Sequence, residues 1–120
     1  MRTQDTLKVM RVLNDYIKGT REGDGDILRR VFHPEAMVAG WFGSDLLMRD
    51  PEGFIARAEG ADAGPDYTAF VASVSVLGNS ATATVIEDGL WDGWSFVNQF
   101  HLIRDQNGRW IITAKLFHRD

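Results

Sequence analysis

The sequence predicts an α+β domain, with helices first and a run of antiparallel strands after them. Three observations carry this. Apolar residues recur at three- and four-residue steps near the N-terminus (Leu7, Met10, Leu13, Ile17). From Tyr67 onward the period changes to two. Two turn signals, Gly78-Asn79 and Asp105-Gln106-Asn107-Gly108, separate runs of β-forming residues.

The first helix is expected over Asp5 to Lys18, with Val9 and Tyr16 widening its apolar stripe. Asp5 or Thr6 can cap it and Gly19 is placed to end it. After the turn Glu22-Gly23-Asp24-Gly25, Asp26 suits the N-cap of a short helix, Ile27 to Phe32, which Pro34 stops. Pro34 to Met48 has no clean period and reads as an irregular connection, with room for a short strand around Ala36 to Gly40. A third helix begins at Asp50 as N-cap with Pro51 at its first position, then Glu52, Phe54, Ile55 and Ala58. Gly60 to Pro65 is a loop by composition. Strands follow over Tyr67 to Leu77, Ala81 to Asp88, Ser95 to Arg104 and Arg109 to His118. Helices before a strand meander place the helices on one face of the sheet.

The last hairpin gives a register. If Arg104 faces Arg109, then Phe100 faces Thr113, and Asn98 faces Lys115 on the same side. Val97, Gln99, His101 and Ile103 share the other side with Leu116, Ala114, Ile112 and Trp110. Both sides are mostly apolar, whereas a sheet with one wet face alternates more sharply. One side should pack on helices and the other on a second subunit.

Composition narrows the function classes. A chain of 120 residues, 44% apolar and 25% charged, suits one globular domain spanning residues 1–120. The absence of cysteine removes disulfides, thiolate metal sites and cysteine nucleophiles together. A net charge of −4 gives no broad attraction to nucleic acid or anionic lipid. With no apolar run near membrane-span length, the expected setting is cytoplasmic. His33, His101 and His118 have no metal-ligand spacing, so neither a metal nor a cofactor is expected.

The stretch Glu22 to Ala36, centred on Phe32-His33-Pro34, is followed by VSVLGNSATATV and then by FVNQFHLIRDQNGRWIITAKLFH. In this order they resemble the nuclear transport factor 2-like superfamily, and within it the small bacterial family described as "putative lumazine-binding", a neighbour of the SnoaL-like proteins. The resemblance runs from about Leu7 to His118. It implies a cone: about three N-terminal helices packed in the concavity of a strongly bent, mainly antiparallel sheet. A pocket opens between them, and two copies commonly pair through the sheet's outer face. The superfamily hosts isomerases, dehydratases, cyclases and plain binders on one scaffold, so fold alone does not fix chemistry.

His33 is a candidate proton shuttle near neutral pH, or a helix-end residue that fixes the turn at Pro34. Asp45 is a second candidate base. Asn98 lies where the resembling family often carries an acid, and an amide cannot take a proton at useful pH. It can orient a carbonyl or ring nitrogen, while Lys115 can meet an anionic group. Trp41, in the irregular connection, and Trp91, in the turn Asp88 to Trp94, can line a pocket together with Phe100. The first function expected is binding of a small molecule, planar or aromatic. The second is an isomerase, dehydratase or cyclase using His33 or Asp45 with Asn98 as polariser. The third is a protein-interaction module built on the sheet face and the Trp-rich turn.

Overall fold

A computed structural model describes all 120 residues. Two helices, α1 (Arg2–Glu22) and α2 (Gly25–Val31), open the chain. A hairpin of β1 (Phe32–Phe42) and β2 (Asp45–Arg49) follows, and only then comes α3 (Glu52–Glu59). Four strands complete it: β3 (Thr68–Leu77), β4 (Ser80–Leu90), β5 (Trp94–Arg104) and β6 (Trp110–Arg119). They form one six-stranded sheet in the order β2-β1-β6-β5-β4-β3, antiparallel except where β1 runs parallel to β6. The three helices pack on one face of this sheet, the expected α+β cone.

The N-terminal helix departs from expectation at both ends. Asp5 lies inside α1, buried, where its carboxylate accepts from the Trp110 indole N–H at 3.4 Å and pairs with Arg104 at 3.6 Å. Gly19 does not end the helix, which runs on to a left-handed cap at Gly23. A Cβ at Gly19 would lie 2.9 Å from Leu28 Cδ2, so this glycine permits the close crossing of α1 and α2. The α2 cap is Asp24 instead of Asp26, its carboxylate accepting from the N–H groups of Asp26 and Ile27. Asp50 does accept from the Glu52 N–H at 3.0 Å, but it lies two residues before the helix, whose N-cap is Pro51.

The segment expected to be irregular is the sheet's outer hairpin. Val38, Gly40 and Phe42 turn to the helices, while Met37, Ala39 and Trp41 turn away. Because both sets are apolar, no alternation marks the strand. A Cβ at Gly40 would collide with the carbonyl and ring of Phe117 on β6, so the close β1–β6 approach requires glycine here.

The last hairpin carries a register correction. Arg104 faces Trp110, one residue later than expected, and a bulge at Thr113 moves the pairing once more. The Thr113 hydroxyl donates to the His101 carbonyl at 3.2 Å across this bulge. Phe100 therefore faces Lys115, and Asn98 faces Phe117. Two single steps restore the side, so Asn98, Phe100 and Lys115 share the inner face as expected. Nearer the turn only one step applies, and Trp110 and Ile112 join the core instead of the outer face.

Candidate functional site

On β4 the inward phase runs Ala81, Ala83, Val85 and then Glu87. Glu87 is wholly buried. Removing an ionised carboxylate from water costs several kcal/mol unless its oxygens are engaged. Three donors engage them. The Tyr16 hydroxyl from α1 and the Asn98 amide from β5 both donate to Oε1, the former at 3.0 Å. Tyr67, just before β3, donates to Oε2 at 2.6 Å. Burial, and then the Glu87 charge, push both phenols well above their usual range, which keeps them protonated as donors. Asn98 spends its amide on this contact and leaves its buried Oδ1 without a donor.

Beside this knot a cavity of about 430 Å³ opens between the sheet and α3, within the range of roughly 300–1,000 Å³ usual for small-molecule sites. Its walls are Phe54 from α3, Trp91 from the β4–β5 turn, Trp94 at the start of β5, and Val38, Phe42, Phe96 and Phe117 from the rest of the sheet. The rings meet mostly edge to face, Phe42 on Trp94 at 4.9 Å and Trp91 on Trp94 at 6.5 Å between centroids. The exposed Arg49, Asp50 and Arg57 edge the cavity.

One cation lies inside. Lys115, 5% exposed, lines the cavity with its Nζ 3.7 Å from the Phe54 ring centroid and 5.1 Å from that of Tyr16. It takes part in no hydrogen bond or ion pair within the protein, and the nearby carboxylate of Glu87 accepts from three other donors. Burial lowers the ammonium from the ordinary lysine value to about 8, against a smaller upward pull from Glu87.

Trp91 adds a second unpartnered donor. Its indole Nε1–H is buried without an acceptor, and its backbone sits at φ 56°, the left-handed region that side chains rarely adopt. Such a residue costs about 1–3 kcal/mol, and cases of this kind gather at functional sites. The conformation is held by the Trp91 N–H on the Ala63 carbonyl at 2.8 Å, and by the ring's packing on Phe54 and under the Arg57 guanidinium at 4.8 Å.

Of the residues expected at the site, Lys115 and Trp91 line the cavity. Asn98 and Phe100 are buried on the same sheet face but belong to the knot and the core, with Phe100 edge-on to Tyr16 at 4.9 Å. Trp41 is 60% exposed on the opposite face. Asp45 is exposed at the start of β2 and is not part of the cavity wall. His33 is also outside it: as the second residue of β1, its Nδ1 accepts from the Glu35 N–H at 3.0 Å. No group of three or more His, Cys, Asp or Glu side chains is placed to hold a metal ion.

Sequence reasoning missed Glu87 and the whole Tyr16–Tyr67–Asn98 knot. The available signal was phase. Counting by twos from Ala81 through Ala83 and Val85 lands a carboxylate on an apolar face, and only a partnered acid survives there. Where the resemblance led to an acid on β5, this chain has Asn98 there and its buried acid one strand over, the two hydrogen-bonded together.

Solved structures share this fold. An NTF2-like protein of unknown function from Shewanella baltica OS155 is 23% identical, with 100% of this chain and 97% of that chain covered and a TM-score of 0.91. One from Silicibacter pomeroyi DSS-3, also of unknown function, is 29% identical over 100% of both chains, at a TM-score of 0.88. A structure described as a "putative ketosteroid isomerase" from Shewanella frigidimarina NCIMB 400 is 16% identical, covering 90% of this chain and 92% of that one, at a TM-score of 0.67. No curated protein matches the chain. The family model described as "Putative lumazine-binding" matches residues 4–118, nearly the full length, and the chain belongs to that family.

Proposed function

We propose that this protein binds a planar, largely apolar small molecule in the cavity beside α3, with a hydrogen-bond acceptor or acidic group of the ligand directed at Lys115. The observation that carries this reading is a buried, unpartnered amine in an aromatic-walled cavity. An amine taken out of water without a partner is costly, and a ligand acceptor is what would offset that cost. The unpartnered Trp91 N–H supports an acceptor-bearing ligand as well. The family description agrees in chemistry, since a lumazine is a planar bicycle with carbonyl acceptors. An acid–base reading through His33 or Asp45 has less support, because neither lines the cavity, and both oxygens of Glu87 are occupied.

Titration of tryptophan fluorescence with a panel of planar bicycles, a lumazine among them, tests this. Compounds with a carbonyl or carboxylate at one end should quench at micromolar concentration and the bare hydrocarbon frame should be at least tenfold weaker. Absence of binding by every member up to its solubility would refute the reading.

We also propose that the outer face is covered by a second copy of the chain. Trp41, Leu46 and Met48 are 60%, 54% and 61% exposed there, beside Leu116 on β6. A monomer rarely leaves such a patch in water. Sedimentation equilibrium should give a dimer that Trp41→Glu splits, and a monomeric wild type would contradict the pairing.

A further inference from the structure

Resting on the ligand-binding reading of the same cavity, we infer that Lys115 forms a reversible imine with a planar aldehyde or ketone held there. Four features support it. The amine is buried yet borders a cavity large enough for a bicyclic carbonyl compound. Neither a hydrogen bond nor an ion pair occupies it, so a neutral Nζ would keep its lone pair free. The surrounding walls, Phe54, Phe96, Phe117 and Trp91, are aromatic and offer stacking surface to a planar carbonyl compound beside the amine. Last, Lys115 forms no ion pair with the nearest carboxylate, Glu87, whose two oxygens accept from Tyr16, Tyr67 and Asn98. Burial adds to this by lowering the ammonium to about 8, so a sizeable share is neutral near that pH. An ordinary lysine, at about 10.4, is under one per cent neutral there. Desolvation of this kind is how a lysine becomes a nucleophile.

The step balances without an oxidant or reductant. The ammonium first gives a proton to solvent. The Nζ lone pair then attacks the carbonyl carbon, and the π pair moves to oxygen, which takes up a proton. The resulting carbinolamine loses its nitrogen proton and, after protonation of the hydroxyl, one water, leaving C=N. Addition of water reverses it.

The chain carries three lysines, and Lys8 and Lys18 are exposed on α1, which makes them internal controls. The full chain is incubated with 2-naphthaldehyde and cyanoborohydride, which reduces an imine to a stable secondary amine, and labelled sites are mapped by peptide mass spectrometry. In parallel, 2-naphthoate, which cannot form an imine, is titrated against tryptophan fluorescence. Labelling at Lys115 should be at least tenfold faster than at Lys8 or Lys18. Lys115→Arg should lose the fast label and retain naphthoate quenching. If that variant fails to fold by circular dichroism, Lys115→Met serves for the loss of label. Should naphthoate bind while Lys115 is labelled no faster than the exposed lysines, the imine inference falls and the binding reading stands. Failure of both naphthoate binding and selective labelling overturns both.

Discussion

Two neighbouring regions of the inner sheet face handle buried charge in opposite ways. At the Glu87 knot three donors engage both oxygens of the carboxylate, and only the buried Asn98 Oδ1 lacks a partner. Beside it, Lys115 makes no hydrogen bond or ion pair, the Trp91 indole N–H is buried without an acceptor, and both border open volume. The saturated region ties α1, β3, β4 and β5 together. The unsaturated one is where something from outside the chain can be bound, because its unmet hydrogen-bonding capacity costs stability until a ligand meets it.

The largest effect should come from breaking the knot. Glu87→Ala strands two phenols and an amide in the core and is expected to cost about 3–5 kcal/mol, read from urea midpoints. Glu87→Gln, which keeps an acceptor oxygen, should cost roughly half of that. A smaller effect is expected at Gly40, where a Cβ would push into Phe117. Gly40→Ala should destabilise by about 1–3 kcal/mol and weaken ligand binding, since Phe117 lines the cavity. If Gly40→Ala lowered stability and left affinity intact, the Phe117 wall would have no part in holding the ligand.

Removing the amine should touch binding first. Lys115→Met is expected to weaken an acceptor-bearing planar ligand at least tenfold, with the Glu87 donors undisturbed, by titration calorimetry. It should also change the pH dependence of stability. Lys115 sits near 8 in the folded chain and near the ordinary lysine value when unfolded. Between those values the unfolded state binds more protons, so stability rises with pH across about 8 to 10. Depression of this size is worth about 3 kcal/mol. Above about 10 the raised tyrosines act the other way. Tyr16 and Tyr67 stay protonated when folded and ionise when unfolded, and stability falls. Melting temperatures should therefore pass through an alkaline maximum in wild type, and Lys115→Met should lose the rising limb while keeping the fall. The smallest effect is expected from Arg57→Ala. Its cation lies over Trp91 at the exposed edge, so affinity should change by no more than about 1 kcal/mol.

How much of this could be read from residues alone varied with the local signal. The Gly78-Asn79 turn and the Val9, Leu13, Tyr16 and Ile17 part of the α1 stripe follow from periods that the structure keeps, whereas Leu7 and Met10 of that stripe are exposed. Asn98, Phe100 and Lys115 share a face because the shifted start of β6 and its bulge cancel. The β1–β2 hairpin was hidden because its two faces are both apolar, one against the core and one toward the outer surface. The expectation that Trp41 walls the pocket fails for the same reason: without the strand, no phase fixes its direction, and it faces outward. The bulge at Thr113 left no mark in the pattern, since Ile111 and Ile112 suit either face. Glu87, next to Asp88, looks like the solvated end of a strand until it is counted in phase with Val85. The turn marks Trp91 in the sequence, but nothing in the residue pattern signals its left-handed backbone.

The state of the Lys115 amine tests the account most directly. With only three lysines, carbon-13 labelling at Cε gives a resolved NMR titration for each. Lys8 and Lys18, both exposed on α1, give the reference signals. Lys115 should titrate near 8, and its midpoint should rise when a planar acid fills the cavity. Three lysines titrating together, with none displaced by such a ligand, would contradict the account.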